Sequence, residues 1–214
     1  MNVKTTIYLI RHGECAGNRE NRIRGCVDFP LNDNGRLQAH ALADAMRHMG
    51  IEFIYSSPLI RAAETAKILG DSLGIGYSTK NAFCNIHLGP WEGRLKSEIA
   101  AETPELWNTW ITRPEDLRID GAETLDQVAD RSLKGLEEVI REHKGRAGAI
   151  IAHRGVIKPM LANALGIAKP SFWRLHIDTA SYSVLTHEDS RGFCLMGLNY
   201  KEHLKSLPLV QEFE

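Results

Sequence analysis

Leu9-Ile10-Arg11-His12-Gly13-Glu14-Cys15-Ala16-Gly17-Asn18 begins as an apolar run and stops abruptly in ionisable and turn-forming side chains. The run starts upstream, at Thr5-Thr6-Ile7-Tyr8-Leu9-Ile10, which is rich in β-branched and aromatic residues. A short continuous run of this kind reads as a strand buried on both faces. Such strands belong to parallel sheets covered by helices, and ligands bind beyond the carboxyl ends of those strands. His12 therefore stands where a site is expected.

Working outward, Asn32 or Asp33 can cap a helix whose apolar positions are Leu37, Ala41, Leu42, Ala45 and Met49, ended by Gly50. Ile51 to Tyr55 reads as a second strand, and Ser56-Ser57-Pro58 as the start of a helix running to about Leu73. From about residue 83 to 121 the character changes: Trp91, Trp107 and Trp110 accompany three prolines, and the helical signals are short. This stretch reads as a cap insertion. Thr124 opens an amphipathic helix with Leu125, Val128, Ala129, Leu133, Leu136 and Ile140 on one face. Ala147 to Ala152 is a third buried strand, ending at His153 and followed by a helix to Leu165; strand-like runs recur at 182–186 and 193–198. The expected fold is a three-layer α/β/α domain over residues 1–214, with a mostly parallel central sheet and a small helical cap at about 83–121.

Composition narrows the function. The chain has 214 residues, 43% hydrophobic and 25% charged, with a formal net charge of -1. Near-neutral charge gives no electrostatic reason to expect nucleic acid or an acidic membrane as partner. No apolar run is long enough to span a bilayer, and the amino terminus does not read as a signal peptide. Cys15, Cys26, Cys84 and Cys194 are scattered, the usage of reduced thiols in a cytoplasmic protein. No Cys or His pair has zinc-ligand spacing, so no metal is expected.

The topology gathers Arg11 and His12, the loop residues Asn18, Arg22 and Arg24, then Ser57, Arg61 and His153, at one sheet edge. Two histidines among several arginines repel metal cations and attract a dianion. A guanidinium fork matches phosphate oxygens bidentately. A neutral imidazole in such a pocket can attack phosphorus, and the cations stabilise charge on the equatorial oxygens.

Six segments, in order, resemble the signatures of the histidine phosphatase superfamily, in its phosphoglycerate mutase-like branch. They are LIRHGECAGN, DFPLNDNGRLQA, YSSPLIRAAETA, HLGPWEG, GAETL and IIAHRGVIKPML. The resemblance is closest to the alpha-ribazole and broad-specificity phosphatase members. It implies that His12 is the phosphorylated nucleophile and that Arg11, Arg61 and His153 bind the phosphoryl group. It implies substrate contacts from Asn18, Arg24, Gly25, Asn85 and His87, a small phosphorylated molecule as substrate, and no cofactor.

One position departs from the pattern. Relatives of this type carry a glutamate, the general acid, where this chain has Asn85 in Phe83-Cys84-Asn85-Ile86-His87. An amide cannot exchange a proton near neutral pH. His87, Glu123, Glu92 and Asp28 are the candidates to replace it, and an acyl or aryl phosphate would need no acid for the first step. A phosphomonoesterase is the leading expectation. A mutase-like phosphotransferase and a weakly active or non-catalytic phospholigand-binding protein stand beside it, and a homodimer is left open.

Overall fold

The structure, a computed structural model, describes residues 3–209. In chain order it runs β1 (Lys4–Arg11), α1 (Ala16–Arg19), α2 (Asp33–Met46), β2 (Phe53–Ser56), α3 (Ile60–Leu73) and β3 (Ser78–Thr79). Then follow α4 (Lys96–Glu102), α5 (Pro104–Thr112), α6 (Leu125–Glu142), β4 (Ala147–Ala152), α7 (Arg154–Ala164), β5 (Tyr182–Glu188) and β6 (Gly192–Tyr200). The strands form one sheet in the order β3-β2-β4-β1-β5-β6. The pairings β1–β4, β2–β4 and β2–β3 are parallel, whereas β1–β5 and β5–β6 are antiparallel.

Alternation along the central strands sets the layers. Ile7 and Leu9 of β1, with Ile150 of β4, face a core shared with Val128, Leu136 and Val139 of α6 and Val156 and Met160 of α7. Ile10, Ala149 and Ile151 point the other way, onto Leu42 and Met46 of α2 and Ala62, Ala66 and Leu69 of α3. Both faces are covered, which is why these strands read as continuous apolar runs. Arg11 pairs with Ala152 in the β1–β4 register. The next residue on each strand is a histidine, so His12 and His153 emerge side by side.

The expected face of α2 is corrected. Leu37 is 56% exposed and Ala45 is exposed, while the buried residues are Asn34, Gly35, Gln38, Ala39, Leu42, Ala43 and Met46. The cause is a close backbone approach. A Cβ on Gly35 would lie 1.9 Å from Glu14 O, so only glycine lets α2 dock on the loop after β1. Asn32 is the cap, its Oδ1 accepting from Gly35 N at 2.8 Å, and the helix ends at Met46 before Gly50 is reached. The helix expected from Ser56 also starts later. Ser56 ends β2, and Ser57 N continues the ladder by donating to Ile151 O at 2.9 Å. The two-residue β3 carries too little apolar signal to be read from sequence.

Residues 80–124 contribute α4, α5 and three single 3₁₀ turns. Phe83, Ile86, Leu88, Trp91, Ile99, Trp110 and Leu117 are buried in the same core as β1, α6 and α7. This aromatic-rich stretch is anchored in the domain and roofs the carboxyl ends of β1 and β4.

Candidate active site

His12 leaves β1 with its backbone bonded on both sides. Its N–H donates to Ala152 O, and its carbonyl accepts from Ala180 N, both at 3.1 Å. The side chain is buried, with Nδ1 2.6 Å from Gly13 O. A carbonyl can only accept, so the ring proton belongs on Nδ1 and Nε2 keeps its lone pair. Gly13 is required for close approach, since a Cβ there would lie 2.5 Å from Gly35 O.

His153 caps α7 and is equally buried. Its Nε2 lies 2.8 Å from Ser57 Oγ, while Nδ1 has no hydrogen-bond partner. The two rings stand 5.1 Å apart, centroid to centroid. Burial, then the positive charge of Arg61, holds both imidazoles well below their ordinary pKa, with Arg11 and Arg24 adding to the effect. Both are uncharged at neutral pH.

The sign of that shift gives a prediction. A histidine whose folded pKa is depressed stabilises the fold fully above its unfolded value near 6.5, and that stability is lost as pH falls below it. Each histidine contributes a slope of about 1.4 kcal/mol per pH unit within its window. Denaturant midpoints should therefore fall between pH 7 and pH 5.5. A flat profile would mean that these imidazoles are not buried in the uncharged form.

The arginines divide their labour. Arg61 is fully buried and keeps its charge at neutral pH, although burial lowers its pKa to about 10. Its NH1 donates to Val27 O at 3.0 Å and its NH2 to Gly25 O at 2.9 Å, leaving Nε without a partner. Arg11 NH1 donates to Ile177 O at 2.8 Å, and Arg24 NH1 to Gly17 O at 3.2 Å. Arg11, Arg24, Gly25 and Asn85 line the cleft with the two histidines. Gly25 O also accepts from Asn85 Nδ2 at 2.9 Å, so this carbonyl ties Arg61 and Asn85 together.

Two of the expected substrate contacts make hydrogen bonds to their own neighbours. Asn18 is buried, with Oδ1 accepting from Cys15 N at 2.9 Å and Cys15 Sγ at 3.0 Å, which fixes the turn after β1. His87 is exposed outside the cleft, its Nδ1 3.0 Å from Glu92 Oε1. Sequence reasoning gathered Ser57 to this edge without a role and missed Glu14, Lys96 and Arg154 as site residues. Lys96 and Arg154 line the cleft beside Arg22. Glu14 lies beneath it, fully buried, with Oε1 accepting from Arg19 Nε and Asn32 Nδ2, both at 2.6 Å, and Oε2 from Asn34 Nδ2 at 3.0 Å. The one sequence signal of the three missed residues was a charged side chain just after a strand or at a helix start.

The sequence pattern described as histidine phosphatase superfamily (branch 1) matches residues 7–199. Phosphoserine phosphatase 1 of Hydrogenobacter thermophilus is 31% identical over 198 residues, covering 92% of this chain and 93% of that one. Among solved structures, YhfR of Bacillus stearothermophilus superposes with a TM-score of 0.89 at 28% identity, covering 94% of this chain and 100% of that chain. A mycobacterial glucosyl-3-phosphoglycerate phosphatase solved with VO3 gives a TM-score of 0.84 at 27% identity, covering 92% and 99%. No helix among the described residues is long and apolar enough to cross a membrane.

Proposed function

Because the chain belongs to the histidine phosphatase superfamily, branch 1, we propose that it hydrolyses a small phosphorylated metabolite through a phosphohistidine on His12. The observation that carries this reading is an imidazole whose proton is fixed on Nδ1 by Gly13 O. It stands 5.1 Å from a second uncharged imidazole, in a cleft lined by guanidinium groups. Nε2 of His12 attacks phosphorus. The Ser57 hydroxyl donates to His153 Nε2, which leaves the His153 proton on Nδ1 to donate to a phosphoryl oxygen. Arg11 and Arg24 neutralise the equatorial oxygens, and Arg61 adds its field from behind while its fork braces the 25–27 loop. Water then attacks the phosphohistidine and regenerates the free imidazole.

The likeness to phosphatases named for phosphoserine and glucosyl-3-phosphoglycerate supports hydrolysis as the reaction. Those two compounds make the first natural substrate panel. The direct test is incubation with 4-nitrophenyl phosphate followed by rapid quenching. Expected are steady nitrophenolate release and a protein-bound phosphoryl group that is stable in alkali and lost in acid. Absence of both would overturn the proposal and leave only phospholigand binding.

A further inference from the structure

We propose, on the basis of the phosphohistidine reading, that the substrates are mixed or phosphoric anhydrides, acyl phosphates or phosphoanhydrides, whose leaving group departs as a second oxyanion without taking up a proton.

Hydrolysis of an alkyl phosphate needs a proton for the departing alkoxide, and the cleft offers neither a carboxylic acid nor a charged imidazole to give one. Among the described residues that line it there is no aspartate or glutamate. The nearby acids are engaged outside it. Glu92 Oε1 accepts from Leu88 N at 2.8 Å and Cys26 N at 2.9 Å. Glu123 takes both Nε and NH2 of Arg131, at 2.7 and 2.9 Å, and the His87 N–H at 2.9 Å. Asp28 is half-exposed and accepts from Ile60 N at 2.8 Å. His87 is bonded to Glu92. His153 is an uncharged imidazole, a very weak acid.

Asn85 makes the point sharper. Its Nδ2 donates to Gly25 O, a bond that a carboxyl group could copy only in its protonated form. The amide thus holds the wall of the cleft as a protonated acid would, but permanently, with no proton to release. Arg131 NH2 fixes the Asn85 carbonyl from behind at 3.0 Å, so the segment is braced in this position.

What the cleft lacks in acids it supplies in cations. Lys96 and Arg154 line it in addition to Arg11 and Arg24, as does Arg22, whose Nε is paired with Glu20 at 2.5 Å. Fixed positive charge stabilises an anion that is already stable, such as a carboxylate or phosphate, far better than it replaces a proton on an alkoxide. The balance closes without an acid. Neutral His12 takes the phosphoryl group as its bond to the leaving oxygen breaks, and the electron pair leaves on that oxygen as carboxylate or phosphate. The phosphoimidazolium then reacts with water to give neutral His12 and dihydrogen phosphate, both water protons going to the phosphate.

The experiment compares kcat/KM for acetyl phosphate, pyrophosphate, 4-nitrophenyl phosphate, phenyl phosphate and glycerol phosphate on the intact protein. General acid catalysis is worth about 10²–10⁴-fold, so glycerol phosphate should trail the anhydrides by at least about 10²-fold. Between pyrophosphate and 4-nitrophenyl phosphate, whose leaving groups have similar acidity, the cationic lining should favour pyrophosphate. Acetyl phosphate against pyrophosphate separates the acyl from the phosphoanhydride source. In Asn85→Glu, glycerol phosphate turnover should rise and the dependence on leaving-group acidity should flatten. If that variant does not fold, the parent panel decides alone. Glycerol phosphate matching the anhydrides, or 4-nitrophenyl phosphate outrunning both of them, would overturn the inference while leaving a trapped phosphohistidine, and with it the proposed function, intact. Failure to trap phosphohistidine with any of the five would overturn both.

Discussion

His12→Ala should abolish turnover of every phosphorylated substrate and leave no protein-bound phosphoryl group after quenching. Removal of a covalent nucleophile costs on the order of 10⁵-fold, far more than loss of any single phosphate contact. The side chain makes one hydrogen bond, to the adjacent Gly13 carbonyl, so the fold should tolerate the truncation. Far-ultraviolet circular dichroism and a binding titration with inorganic phosphate would show an intact cleft. Activity persisting within tenfold of the parent would exclude covalent catalysis at this residue and move attention to His153, the other buried imidazole.

The second large effect is on stability and falls on a residue with no direct part in the chemistry. Glu14 is a buried carboxylate with three side-chain donors, from Arg19, Asn32 and Asn34, and its backbone N–H donates to Gln38 Oε1 at 2.9 Å. Hydrogen bonds to a charged acceptor contribute roughly 1.5–3 kcal/mol each. Arg19 is more than half exposed, so its share is screened and is left out. Asn32 Nδ2 would lose its acceptor and Asn34 Nδ2 would keep only Pro208 O, at 2.9 Å, so Glu14→Ala should destabilise the protein by about 3–5 kcal/mol. That is a large part of the stability of a typical domain. Denaturant melts measure it, with Glu14→Gln expected between parent and alanine variant because its oxygen can still accept. A loss below about 1 kcal/mol for Glu14→Ala would show that the network under β1 carries little energy.

The parts of the fold readable from sequence were those whose signal is local and periodic. β1 and β4 announced themselves because both of their faces are covered, and α6 because Leu125, Val128, Leu136 and Ile140 recur at helical spacing. The face of α2 was misread for a reason that periodicity cannot see. Gly35 and Gln38 are turned inward by a backbone contact with Glu14, some twenty residues earlier. The two histidines were legible as strand-end residues, and their juxtaposition followed from the topology. What surrounds them was not. Ser57 beside His153, Gly25 between Arg61 and Asn85, and Arg131 behind Asn85 are contacts between residues 36 to 96 positions apart. Asn18 and His87 sit within motif segments, yet their own hydrogen bonds turn them to Cys15 and Glu92. A motif gives the residue; only the fold gives its direction.

The strand order also governs when the protein can acquire its structure during synthesis. β1 precedes the other described strands in the chain, yet it lies between β4 and β5 and pairs with neither β2 nor β3. Its Ile7, Leu9 and Ile10 therefore wait, both edges unpaired, until the chain has been made as far as β4. Pairings of such sequence separation close late, because the loop entropy must be overcome before any contact is gained. An amino-terminal fragment ending before Ala147 thus holds β1 without either of its partner strands, the kind of unpaired edge that promotes self-association.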